Sequence, residues 1–422
     1  MRRAIVLVLD GLRRDQIAPD LTPKLCRHAG RAETFGRHRS VFPSATRVVS
    51  SSMATGCHPA RHELAGNSLV LIEDGSLVGH DVGHPDFLQH KRRVTGCSLA
   101  MPTMAERLRD HGGAIIYSNV SPGAAYAHDP DGHGTVYHRA GSFGPGRIPV
   151  AGWAAADISM DAAGDRAMAE RFIEDVVLGD RKPALGLLWL GEPDYASHAH
   201  PLGSRGQLAG LAASDATAGL VITAVETARA TGDDILLVVA SDHGHQTVSG
   251  VVDIEAELVK AGLKAGTASG DVRSMPNGTA ALVYVHPDHG QRTEAIGAFL
   301  AGQSWAGDVL GVDRLGEVGQ VARHGLAFAV MMASTEEPNA YGVPGMSYAA
   351  KPEGGKPDRM GCGQHGGTAR FEQSPFLIIQ GTGFKAGSIR DVPTSAVDIA
   401  PTVLAHLGVG FGGVDGRSLQ NG

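Results

Sequence analysis

A doubly wound, mainly parallel α/β sheet flanked by helices is the fold this sequence predicts, on three observations. Short, uninterrupted apolar runs recur at residues 4–9, 185–190 and 235–240. Helical patterns at 163–178 and 208–230 alternate with them. Two of the runs end directly in a carboxylate, as Leu9-Asp10 and Ala240-Ser-Asp242, and the third continues into Gly-Glu-Pro-Asp194.

An apolar run without alternation marks a strand covered on both faces, as in a parallel sheet. The first, Ala4-Ile-Val-Leu-Val-Leu9, is too short for a signal-peptide core or a membrane span. A cytoplasmic protein with no membrane partner is therefore expected. A fourth run at 375–380, containing Phe-Leu-Ile-Ile, is expected in the same sheet. Residues 70–160 and 250–360 fit the pattern poorly and read as insertions within one domain spanning 1–422, shaping the walls of a substrate pocket.

Ligands in open parallel sheets sit at the carboxyl ends of the strands, where these three aspartates fall. An aspartate after a strand also serves as an ordinary turn or helix cap, so each alone says little. A formal charge of −7 in 422 residues gives no basic surplus for nucleic acid. Cys26, Cys57, Cys97 and Cys362 form no CxxC pair, so a bound metal must be held by carboxylates and by some of the 20 histidines.

Asp194 and His198 are four residues apart, and a helical turn after Pro193 puts both on one face. Asp242-His243 stands at a strand end before Gly244, where the chain can turn both side chains inward. His365 lies between glycines in Gly363-Gln-His-Gly-Gly, which permits the close backbone approach a buried ion needs. The candidate nucleophile is Thr46 in Val41-Phe-Pro-Ser-Ala-Thr46, with Ser44 as competitor. A helix N-cap is the bland alternative for Thr46.

Taken in order, these segments resemble the alkaline phosphatase superfamily, and within it the nucleotide pyrophosphatase/phosphodiesterase branch. The resemblance rests on strand-Asp10-Gly, Pro-x-x-Thr46, Thr-Gly56, Pro59-x-x-His62, Asn67, Glu-Pro-Asp194-x-x-x-His198, Ser-Asp242-His243-Gly, His365-Gly and the tail from Val397 to Gly408. It implies an alkaline-phosphatase-like fold whose insertions form a cap, and two divalent metal ions, zinc before manganese or iron. Asp194, His198 and His365 would hold one ion; Asp10, Asp242, His243 and the Thr46 oxygen the other. Asn67, 21 residues after Thr46, resembles the family's phosphate-oxygen ligand. Three aspartates and an ionised Thr46 would balance two divalent charges.

The implied activity is hydrolysis of a small phosphodiester through a phosphothreonine, with phosphonate or phosphomonoester substrates as alternatives. This chain departs from the family at Arg47-Val-Val, where its phosphodiesterases usually continue with Pro-Asn. Phosphonoacetate hydrolases are similar over the same segments but use lysines that 115–122 lacks. Arg47, Arg61 or Lys91-Arg92-Arg93 could meet the extra charge of a monoester. Cys57-His-Pro-Ala-Arg61 imitates a sulfatase motif, yet it follows Thr55-Gly56 instead of preceding it. A phosphoglycerate mutase needs a longer chain, and a non-catalytic metal binder should have lost ligands, whereas all seven positions are filled.

Overall fold

The apolar run at 4–9 is the central strand of the protein, in a computed structural model that describes residues 2–150, 158–352 and 358–420. Ala4, Val6 and Val8 pack into one hydrophobic layer with Val48, Met53 and Val403. Ile5, Leu7 and Leu9 face the other, with Leu211, Val221 and Val225. Helices cover both faces, which is why the run shows no alternation. Each buried aliphatic side chain contributes about 1.5–3 kcal/mol of transfer free energy.

The main sheet comprises β1 (Arg2–Leu9), β2 (Glu33–Arg39), β3 (Ala114–Ser118), β4 (Thr135–Tyr137), β5 (Leu185–Leu190), β6 (Asp234–Ala240), β7 (Leu377–Gln380) and β8 (Ser388–Ser395). Their spatial order is β8-β2-β7-β6-β1-β5-β3-β4. Only β7 runs antiparallel to its neighbours, so the sheet is mixed but mainly parallel. The register pairs Val8 with Ala240 and Leu9 with Leu190, so the three aspartate-bearing strand ends lie side by side.

The helical pattern at 208–230 is the helix Arg205–Ala230, and that at 163–178 is Ala162–Phe172 followed by a π-helical turn to Val177. By length and composition Arg205–Ala230 could cross a membrane. Its apolar side, including Leu211, Ala218, Val221 and Val225, is buried against the sheet.

Residues 70–160, expected outside the sheet, supply β3 and β4. Ala114-Ile-Ile-Tyr-Ser is wholly buried, but so short and so hemmed by glycines that its periodicity was ambiguous. The same stretch carries most of a hairpin, Ser68–Glu73 with Ser76–Asp81. Residues 250–360 hold a four-stranded antiparallel sheet, Val272–Pro276, Ala280–Val285, Leu326–Met332 and Ala306–Gly311, with a separate apolar cluster that includes Leu258, Val283, Leu300 and Val330.

Several histidines belong to this core. His38, His62 and His128 are buried, and burial pushes each down to about 3. They are neutral and hydrogen-bonded, His62 to Ser52, His128 to Ser50 and His38 to Thr394. An unfolded histidine titrates near 6.5. Below that pH the unfolded chain binds protons the folded chain refuses, so this stability is complete above about pH 6.5 and is lost on acidification. Each histidine removes up to about 1.4 kcal/mol per pH unit. Buried Glu192 and Glu372, raised to about 7, act in the opposite sense, so the histidine share is read by difference. His128→Gln in the metal-free chain is expected to lose less of its urea midpoint between pH 7.5 and pH 5.5 than the unaltered chain does, and an identical pH dependence would contradict this.

Candidate metal centre

Asp10 follows β1, Asp242 follows β6 after Ser241, and Asp194 opens the helix Asp194–Ala199 beyond β5. The expected turn after Pro193 is present, and it brings His198 Nε2 to 3.3 Å from Asp194 Oδ1. His365 Nε2 lies 3.6 Å from the same oxygen and 3.3 Å from His198 Nε2. This group is completed by His245, whose Nε2 is 2.9 Å from Asp194 Oδ1.

The second group forms around His243. Its Nε2 is 3.1 Å from Asp242 Oδ2, 3.4 Å from Asp10 Oδ1 and 3.2 Å from Thr46 Oγ1. The rings of His243 and His365 stack at 3.5 Å, joining the two groups. All eight residues singled out from the sequence fall in this region, Asn67 through its bond to Arg47.

Two features suit cations. First, Asp10 Oδ1 and Asp242 Oδ2 are buried without a hydrogen-bond partner, a costly state for a carboxylate unless a cation meets it. Their other oxygens are fixed: Trp189 Nε1 donates to Asp10 Oδ2 at 3.0 Å, and the Gly11 N–H to Asp242 Oδ1 at 3.0 Å. Second, the Nδ1 atoms of His243, His245 and His365 face the carbonyls of Gly244, Gly11 and Ser44 at 2.8–3.0 Å. Donation from Nδ1 leaves each Nε2 lone pair pointing into the centre, the tautomer a metal ligand requires.

The electrostatics agree. Burial and the charges of Asp242 and Asp194 hold the Asp10 carboxyl well above the ordinary range. Burial alone would raise Asp194 too, but His198 and the neighbouring histidines outweigh it and hold Asp194 low. Burial opposes the charging of His198, yet Asp194 raises it to about 9. A buried carboxyl kept from ionising by its carboxylate neighbours, as Asp10 is, is what a divalent cation relieves.

Glycine is required at two close approaches. A side chain at Gly11 (φ +68°) would strike His245 Cε1, and one at Gly366 (φ +135°) would strike the Asn277 carbonyl beside His365.

Thr46 is the first residue of the helix Thr46–Thr55, and Ala45 occupies the N-cap, so capping does not explain the threonine. Ser44 is otherwise engaged: its hydroxyl donates to the Gly367 carbonyl and accepts from the Gly366 N–H, fastening the His365 loop. Asn67 Oδ1 accepts the Arg47 N–H at 3.0 Å, leaving its amide N–H groups as donors. The Arg47 guanidinium reaches Ser121 Oγ at 3.1 Å and Asp81 at 3.4 Å, one residue from Thr46. Cys57 sits beyond the opposite end of that helix, about 15 Å away along its axis. Burial raises its thiol, which suits no nucleophile.

His245 and Trp189 went unrecognised in the sequence. The repeat His243-Gly-His245 was a visible signal for the first; nothing local announced the second.

Residues 4–300 match the family of type I phosphodiesterases/nucleotide pyrophosphatases. Two solved structures of murine ectonucleotide pyrophosphatase/phosphodiesterase 5 share the fold over 99% of this chain and 98% of theirs. One, an inactive threonine-to-alanine variant in complex with AMP, is 16% identical with a TM-score of 0.70. The other is 17% identical with a TM-score of 0.69. No curated protein sequence matches.

Proposed function

Because this chain belongs to the type I phosphodiesterase/nucleotide pyrophosphatase family of the alkaline phosphatase superfamily, and so is a phosphoric ester hydrolase, we propose that it cleaves small phosphodiesters by attack of the Thr46 oxygen at a two-metal centre. The observation that carries this is the meeting of Thr46 Oγ1 and His243 Nε2 with two buried, unpartnered carboxylate oxygens.

Asp194, His198, His365 and His245 would hold one ion; Asp10, Asp242, His243 and Thr46 the other. Imidazole and carboxylate ligands suit zinc first, then manganese or iron. Bound there, the pair supplies charge neutralisation and Lewis acidity. Thr46 Oγ1 attacks phosphorus, the bond to the departing alcohol breaks, and water later cleaves the phosphothreonine to restore the hydroxyl. Thr46 is the first residue of the helix Thr46–Thr55, where no preceding turn offers its N–H an acceptor, so the Thr46 N–H and the Asn67 side-chain amide are available to the phosphoryl oxygens.

Arg47 favours a second reading, a phosphomonoesterase, because a guanidinium beside the nucleophile offers charge to a dianionic phosphate. Zinc-loaded chain should be assayed with bis(p-nitrophenyl) phosphate, p-nitrophenyl phosphate, a nucleotide diester, a phosphonate and a sulfate. The diesters are expected to show the highest kcat/KM, and Arg47→Ala to lower the monoester rate about tenfold more than the diester rate. A monoester preference that Arg47→Ala abolishes would establish the second reading instead.

A further inference from the structure

We propose that the β-hairpin beside the catalytic residues carries a third metal site, built by Glu73, His80 and His90 for a zinc-class divalent cation. Glu73 ends the strand Ser68–Glu73, His80 lies on its partner Ser76–Asp81, and His90 comes from the helix Phe87–Thr95. Three separate elements thus direct ligating atoms to one point.

The geometry repeats that of the central cluster. Glu73 Oε1 meets His80 Nε2 at 2.6 Å and His90 Nε2 at 2.9 Å. In the centre, Asp194 Oδ1 meets His245 Nε2 at 2.9 Å and His198 Nε2 at 3.3 Å. In both, one carboxylate oxygen gathers the Nε2 atoms of at least two histidines, and the three hairpin ligand atoms lie within 4.8 Å of one another. A tetrahedral ion bound at about 2.0–2.2 Å holds its ligand atoms roughly 3.3 Å apart. Small outward rotations of these side chains open that space. The rings of His80 and His90 are 4.9 Å apart, and His80 packs against Phe87, which steadies its orientation. All three residues are partly exposed, so an ion has an entry path and water can fill a fourth position.

The location gives the ion a task. Asn67 immediately precedes the first strand, and Asp81, which pairs with Arg47, follows His80 directly. Cross-linking the hairpin to the helix would fix both groups where the substrate phosphate is expected. Glu73, His80 and His90 are positioning residues in this account.

Zinc counted per chain decides the matter. The metal-stripped full chain is equilibrated with zinc, desalted and analysed beside two variants. His80→Gln/His90→Gln should hold one zinc fewer than the unaltered chain, whereas Asp10→Asn/Asp242→Asn should lose zinc from the centre and keep the hairpin ion. Zinc should also slow amide exchange across 68–81 in the unaltered chain and not in the hairpin variant. Equal zinc in the hairpin variant and the unaltered chain would reduce Glu73, His80 and His90 to a hydrogen-bonded trio. Equal zinc in the Asp10/Asp242 variant would count against the central centre and leave the hairpin count standing on its own. If the double histidine variant does not fold, Glu73→Gln is judged by the same count.

Discussion

Thr46→Ala lowers phosphodiester turnover by at least about 10³-fold while the zinc content of the chain stays near its original value. The size follows from the role: with the oxygen gone, there is no covalent route, and a water without a fixed position must replace the held hydroxyl as nucleophile. Metal is retained because three other ligand atoms of that group remain, Asp10 Oδ1, Asp242 Oδ2 and His243 Nε2. Folding is little affected, because Ala45 fills the N-cap and Thr46 caps nothing. A variant that turned over at near-original rate would move the nucleophile to water or Ser44, although the Ser44 hydroxyl is tied to the loop of His365. Calorimetry or metal analysis alongside kinetics separates a lost nucleophile from a lost ion.

Asp242→Asn is expected to abolish activity and to weaken zinc by more than about 10²-fold, since it removes a directly ligating charge where even outer partners matter by 10–100-fold. The asparagine can keep the bond from the Gly11 N–H through its Oδ1. Its Nδ2 then faces His243 Nε2 and Asp10 with hydrogens instead of a lone pair. Stability should move in opposite directions with metal. Without zinc, the Asp10 carboxyl is opposed by burial first and then by the charges of Asp242 and Asp194, so neutralising Asp242 relieves that repulsion and favours the empty protein. With zinc in excess, the unaltered chain gains binding energy that the variant lacks. Melting curves with chelator and with zinc should therefore rank the two proteins in opposite orders. The same order in both would mean that no ion uses Asp242.

Sheet and centre were legible in the sequence to different depths. Strands β1, β5 and β6 were plain because burial on both faces writes itself as unbroken runs, and their ends gave Asp10, Asp194 and Asp242. Strands β3 and β4 were hidden, since a run as short as Ala114–Ser118 carries too little pattern to outweigh the surrounding Gly, His and Pro. His198 followed from helical spacing. His245 was signalled only by the His243-Gly-His245 repeat, because residues 241–245 lie outside the strand and the alternation that gives residues two apart a common face does not apply there. Trp189 reaches Asp10 only because β5 lies beside β1 with Val8 opposite Trp189, a fact of register that no local motif encodes. Glu73, His80 and His90 are likewise close only after the hairpin and its helix have packed.

Anomalous X-ray scattering at the zinc edge, from crystals grown with zinc, addresses the central claim most directly. Two adjacent peaks are expected, one among Asp194, His198, His245 and His365, and the other among Asp10, Asp242, His243 and Thr46 Oγ1. A map with density at neither position, or with Thr46 turned away from the second, would contradict it.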